Sequence, residues 1–284
     1  MEIFKQIAPL KAFLNAQRRA GKSIGLVPTM GALHVGHLSL IQASKAQNDI
    51  TVCSIFVNPT QFNNPNDLQK YPRTLDKDTL LLEKVECDAI FCPEASEMYP
   101  DKSIMRFEFG HLDKVMEGAF RPGHFSGVGL VVSKLFNIIQ PTRAYFGQKD
   151  WQQFAVIRRL VDELNFDLEL TSVPTSREDD GLAMSSRNLR LNPEQRQVAT
   201  VFYESLVAAK QALQQGKTVQ ETRALVQTKF DERHVSLEYF ELADSKNLNI
   251  LENVKAFDAP PGQPIMCIAG FVGEVRLIDN MFLQ

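Results

Sequence analysis

The sequence predicts an α/β protein: a parallel sheet covered by helices over residues 1–175, then a smaller α+β part over residues 176–284. Three observations carry this. The apolar run Ile24-Gly25-Leu26-Val27 is followed by a glycine-containing turn, the amphipathic run Leu38-Ser39-Leu40-Ile41-Gln42-Ala43, and Ile50-Thr51-Val52-Cys53-Ser54-Ile55-Phe56-Val57, which gives strand, helix, strand. The second of these strands is apolar or β-branched almost throughout, as a strand covered on both faces of a parallel sheet must be. Near the Ser-rich stretch Ser185-Ser186 the pattern changes, to capped helices and then three strand candidates.

Taken in order, Ile7, Leu10, Phe13 and Leu14 recur at helical spacing over Ile7 to Ala20, and Gly21 stops that helix. The strand Ile24–Val27 and the helix after it come next, then the strand Ile50–Val57. Tyr71-Pro72-Arg73-Thr74 leads into a helix through Val85, and Ala89–Cys92 is a short strand. Arg121 to Gly129 reads as a glycine-containing loop, and a helix then runs through Ile139; Arg143–Phe146 and Asp167–Val173 are strands with a helix between them. In the second part, Asn192-Pro193-Glu194 has an N-cap residue followed by proline at the first helical position, and the helix is expected to run to Gly216. Thr218-Val219-Gln220-Glu221 is a capping box opening a helix to about Phe230. Leu237–Leu242, Pro264–Gly270 and Val275–Ile278 are strands, the last two a hairpin around Gly273.

Composition narrows the function. With 44% hydrophobic and 23% charged residues the chain is globular rather than disordered or fibrous. A net charge of −3 without a basic block argues against nucleic acid as a partner, so any phosphate it binds belongs to a small molecule. Cys53, Cys87, Cys92 and Cys267 lack Cys-x-x-Cys spacing and read as buried thiols. The start lacks the pattern of a signal peptide and no run reaches the length of a bilayer, so the expected location is cytoplasmic, with no membrane partner.

The chemistry centres on Pro28-Thr29-Met30-Gly31-Ala32-Leu33-His34-Val35-Gly36-His37. Two histidines three apart at a helix opening share a face, beside amides with no intrahelical partner and the positive end of the helix dipole. That is a place to hold phosphate. With five His and fifteen Gly in the chain, His-x-Gly-His arises by chance in about one such chain in two hundred. The spacing is not that of a zinc helix.

Other candidates sit at strand ends. Asn58 and Gln61 follow the strand Ile50–Val57, where open α/β sheets collect ligands, though Asn and Pro also simply make turns. Asp76 and Asp78 either face a magnesium-bound phosphate or favour a helix N-terminus. Arg121 and His124, on a glycine-containing loop ahead of a helix, make either another anion-facing corner or an ordinary Pro-Gly loop, and Lys149 lies at a strand-to-helix junction from which it reaches a phosphate as a point charge. Gly181-Leu182-Ala183-Met184-Ser185-Ser186-Arg187-Asn188 offers hydroxyls and a guanidinium suited to a triphosphate, or is a linker.

Together these stretches, with Phe56-Val57-Asn58-Pro59-Thr60-Gln61-Phe62, Tyr71-Pro72-Arg73-Thr74, Arg121-Pro122-Gly123-His124-Phe125 and Phe146-Gly147-Gln148-Lys149-Asp150, resemble the pantoate-β-alanine ligase family along nearly the whole chain. The resemblance implies a Rossmann-like N-terminal domain of the nucleotidylyltransferase superfamily, a C-terminal lid domain and a homodimer. It implies a reaction in which ATP and pantoate give pantoyl adenylate and pyrophosphate, and β-alanine then gives pantothenate and AMP. On the family's pattern His34, His37 and Lys149 face the phosphates, and Ser185, Ser186 and Arg187 close over the β- and γ-phosphates. Met30, Gly147, Asp150 and Met184 complete the implied ATP site, with Asp150 at the ribose. Gln61 and Gln153 hold pantoate, with Met30 and Asn58 beside it. The family often has consecutive acidic residues where this chain has Lys77 between Asp76 and Asp78; Asp78 is the candidate ligand for the implied Mg²⁺.

Overall fold

The computed structural model describes residues 1–63, 65–253 and 262–283; Asn64 of the predicted polar turn lies outside them. The chain divides into two compact units, the first of Met1–Gly147 with Val156–Pro174, the second of Gln148–Ala155 with Thr175–Gln284. The division thus assigns the Lys149 turn to the second unit, which a boundary read from composition alone does not do.

The first unit contains, in order, β1 (Glu2–Phe4), α1 (Ile7–Arg19), β2 (Ile24–Thr29), α2 (Val35–Gln47), β3 (Ile50–Ile55), α3 (Pro65–Lys70), α4 (Leu75–Lys84), β4 (Ala89–Phe91), α5 (Ala95–Met98), α6 (Met116–Phe120), α7 (His124–Ile139) and β5 (Arg143–Gly147). After α8 (Trp151–Leu164), β6 (Glu169–Val173) completes its sheet. The six strands are all parallel, in the order β1-β4-β3-β2-β5-β6, as the buried apolar runs predict. Val27, Ile41, Cys53, Leu82, Ile90 and Tyr145 form the core of one face, each at 0% exposure.

The order reverses between β2 and β5, and there the pairing is short. β2 matches β3 over six residues but β5 only at Gly25↔Arg143 and Leu26↔Ala144. Pro28, with no N–H to give, lies beyond the last β2–β5 pair, where its lack costs no ladder bond to β5. The carboxyl ends of these two strands therefore part, at the position where open parallel sheets hold ligands.

The second unit holds α9 (Pro193–Val198), α10 (Val201–Gln214), α11 (Val219–Glu232) and the antiparallel sheet β7 (Ser236–Asp244), β8 (Pro264–Val272), β9 (Val275–Phe282) in the order β7-β8-β9. Phe202, Leu206, Phe230, Leu242, Met266 and Ile268 pack at its centre. The capping box at Thr218 and the β8–β9 hairpin form as expected. The single helix expected from Asn192 to Gly216 is instead two, and at the break the Thr200 hydroxyl, with one proton to give, lies 3.0 Å from the Gln197 carbonyl oxygen and 2.7 Å from Glu204 Oε1.

Candidate active site

β2 ends in a turn that two consecutive residues make in the left-handed region, Gly31 at φ 81° and Ala32 at φ 51°. Glycine adopts this freely, whereas the Cβ of Ala32 makes it strained. The Asp78 carboxylate holds the turn: 1% exposed, it accepts the N–H of Ala32 at 3.0 Å, the N–H of Leu33 at 2.8 Å and the Thr74 hydroxyl at 3.2 Å. Two successive amides converge on one anion and offset the strain. A Cβ on Gly31 would stand 3.0 Å from the same carboxylate. Both Asp78 oxygens are thus engaged by the protein, and among the described residues no three His, Cys, Asp or Glu side chains converge as metal ligands. The donor set therefore does not fit a resident magnesium centre; Asp78 is placed as a clamp on the turn.

The turn delivers His34 as the N-cap of α2. His34 Nδ1 accepts the N–H of Gly36 at 3.1 Å, and His37 Nδ1 accepts the N–H of His34 at 3.3 Å. The two rings lie 4.1 Å apart by their centroids. Because a backbone N–H only donates, both Nδ1 atoms are acceptors, and each imidazole carries its proton on Nε2. The pair that the spacing singles out is therefore brought together at the carboxyl end of β2 as two N–H donors beside a helix N-terminus.

Asn58 and Gln61 follow β3 on a single 3₁₀ turn, Pro59–Gln61. Asn58 is 1% exposed. Its Oδ1 accepts from Tyr99 at 2.9 Å and from the hydroxyl and N–H of Thr60, which fixes the amide's orientation. Its Nδ2 then donates to Gln61 Oε1 at 3.0 Å and to the Gly127 carbonyl at 3.1 Å. With Oε1 so occupied, Gln61 turns its Nε2 donor toward Met30, 3.2 Å from the sulfur. His124, read from the sequence as part of an anion-facing corner or of an ordinary loop, is 5% exposed and bonds the Gln61 carbonyl at 2.9 Å through Nδ1. Asn58 and His124 thus orient Gln61 from below.

In the second unit, Lys149 sits on the single 3₁₀ turn Gln148–Asp150, and Gln153 is half-buried in the first turn of α8. Met184, Ser185, Ser186 and Arg187 are half-buried too; Ser185 caps the 3₁₀ helix Ser186–Arg190, its Oγ accepting the N–H of Arg187 at 3.2 Å. Lys149, Ser185, Asn188 and Asp279 line one small cavity. Asp279 is bound by Arg177, Nη1 to Oδ2 at 2.7 Å and Nη2 to Oδ1 at 3.0 Å. Burial pushes the Asp279 carboxyl above its ordinary range, and the guanidinium pulls it back. Sequence reasoning missed Asp279 and Asn280; their one signal is an acidic residue directly after the apolar run Leu277-Ile278.

The family model described as pantoate-beta-alanine ligase matches residues 2–282. The pantothenate synthetase of Bacteroides thetaiotaomicron is 48% identical over 282 residues, covering 99% of this chain and 98% of that one. That of Thermosipho africanus is 46% identical with both chains covered in full. Among solved structures, pantothenate synthetase from Thermus thermophilus superposes with a TM-score of 0.92 at 40% identity, covering 100% of this chain and 99% of the other. The pantoate-beta-alanine ligase of Francisella tularensis, complexed with beta-gamma ATP and beta-alanine, gives 0.81 at 36%, covering 100% and 98%. By its family-model match over residues 2–282 and its relatives at 46–48% identity, the chain belongs to the pantoate-β-alanine ligase family.

Proposed function

We propose that this chain carries out its family's reaction in two steps. A pantoate carboxylate oxygen attacks the α-phosphorus of ATP; the bond to the bridging oxygen of the β-phosphate breaks and pyrophosphate leaves. The amine of β-alanine, having lost a proton, then attacks the acyl carbon of pantoyl adenylate, and AMP departs as the amide forms. No covalent bond to the protein is needed, so catalysis rests on positioning and on stabilising the charge that builds on the α-phosphate and the leaving pyrophosphate.

The observation that carries this reading is the reciprocal His34–His37 arrangement, which locks two Nε2–H donors at the end of β2 beside the opening of α2. His34, His37 and Lys149 are assigned to the phosphates, Ser185, Ser186 and Arg187 to the β- and γ-phosphates, and Met30, Gly147, Asp150 and Met184 to the remainder of ATP. Gln61 donates through Nε2 to pantoate, with Gln153 as its counterpart, while Asn58 acts through Gln61. Magnesium enters as the counterion of ATP, and Asp78 serves the turn. The bound ligands named for the Francisella enzyme support the ATP and β-alanine assignments.

The chain is further read as a cytoplasmic homodimer. In the first unit Ile104 is 91% and Met105 65% exposed, an apolar pair that a second copy would cover. Among the described residues no helix is long and apolar enough to cross a membrane.

Single-turnover kinetics test the phosphate assignment. Lys149→Ala is expected to slow pantoate-dependent pyrophosphate release on the order of 100-fold or more, the scale set by removing one charge-stabilising group. Once adenylate has formed, amide formation is expected to proceed at close to the parent rate. A normal first step in this variant would remove Lys149 from the phosphates.

A further inference from the structure

Around Lys149 the second unit is tied by a buried polar network with no counterpart in the reaction scheme. Asn280, 2% exposed, donates from Nδ2 to the carbonyls of both Gln148 and Lys149, each at 2.8 Å. Its own N–H is 2.7 Å from Asp279 Oδ1, and its carbonyl accepts Arg177 Nη2 at 3.2 Å. Arg177 reaches further: Nη1 donates to the Gly181 carbonyl at 3.0 Å, and the guanidinium lies 4.7 Å from the centre of the Tyr203 ring. Its backbone bridges Ala183 across the hairpin that leads into Met184-Ser185-Ser186, and the N–H of Met184 donates to the Ser176 carbonyl at 2.9 Å.

Two features of this network exceed what stability asks for. Asn280 fastens two carbonyls of the turn that carries Lys149 and Arg177 fastens the base of the loop that carries Ser185, and the half-buried Arg177–Asp279 ion pair joins these two holds through the Asn280 backbone. The pair is also electrically neutral. An unpaired Asp279 in the cavity it shares with Lys149 would offset the lysine's charge; Arg177 cancels it, and the positive charge of Lys149 is left for a ligand.

We propose that Arg177, Asp279 and Asn280 are positioning residues that set the Lys149 turn and the Ser185 loop as one piece for adenylate formation. This rests on the reading of Lys149 and Ser185 as phosphate-binding groups. A displacement on the order of 1 Å of a positioned charge costs about 100-fold in rate, and that displacement is what the network prevents.

The test uses the full chain with Asn280→Ala, and separately with Arg177→Met and Asp279→Leu together, which deletes the ion pair without stranding a buried charge. Pyrophosphate release at saturating ATP and pantoate, amide formation on adding β-alanine to accumulated adenylate, and melting temperature are measured for each. Both proteins are expected to release pyrophosphate roughly 10- to 100-fold more slowly, with amide formation within about threefold of the parent. In a Lys149→Ala background, Asn280→Ala is expected to add little, because it acts through the same group. Equal slowing of both steps, an unchanged first step, or fully additive losses would each overturn the proposal. A Lys149→Ala enzyme with a normal first step overturns the phosphate reading and this inference with it. A slow Lys149→Ala enzyme beside a normal Asn280→Ala enzyme overturns the positioning unit alone.

Discussion

Positions 34 and 37 hold imidazoles whose Nδ1 atoms are both taken by backbone amides, so the same interaction that caps α2 leaves Nε2 as the proton-bearing nitrogen of each ring. The sequence shows that two histidines share a helix opening; it does not show their tautomers, which depend on a turn that Asp78 secures from far along the chain. Asn58 is similar: its place after β3 is legible, but its engagement by Tyr99 and Gly127 arises from contacts remote in sequence. The cysteines are read more directly. Cys53 is fully buried with its thiol held well above the ordinary range by desolvation, and Cys87 is pushed up to about 11, again mainly by burial. At pH 8 a chromogenic aromatic disulfide is therefore expected to leave both unlabelled in the native protein and to label them once denaturant is added. Labelling of either on mixing, without denaturant, would contradict their burial.

At the scale of elements, long segments with a clear period are legible, and α1, α11 and the main strands lie within a few residues of their expected bounds, whereas α7 begins at His124, inside the stretch to Gly129 expected as a loop. β1 is missed because three residues, Glu2–Phe4, show no period; they become a strand by pairing with β4. The break between α9 and α10 is missed because apolar spacing runs across it. α7 also has a task that its sequence hides. A Cβ at Gly127 would lie 2.3 Å from the Thr60 carbonyl oxygen, so only glycine lets this helix approach the turn that carries Gln61. Gly127→Ala is expected to cost about 1–3 kcal/mol of stability through overpacking. It is also expected to raise KM for pantoate about tenfold or more, with KM for ATP changed far less. Equal effects on the two substrates, measured by initial rates, would separate the turn from pantoate binding.

For the molecule as a whole, the strand-helix-strand start and the change of pattern near Ser185-Ser186 are enough to give a parallel sheet followed by a smaller α+β part, and the structure adds that β7 joins the expected hairpin in one antiparallel sheet. The strand order was not legible, since pairing partners are set by tertiary packing. That order matters most for function: it puts the end of β2, with Met30 to His37, and the end of β5, with Gly147, on either side of the switch in the first unit's sheet. In the proposed reaction these residues make an acyl adenylate before any amine is needed. The most direct measurement is pyrophosphate release with enzyme in excess over pantoate, in ATP and magnesium, before β-alanine is added. One equivalent of pyrophosphate per pantoate is predicted at once, with AMP and pantothenate appearing only after β-alanine arrives. Pyrophosphate that waits for β-alanine, or that appears without pantoate, would contradict it.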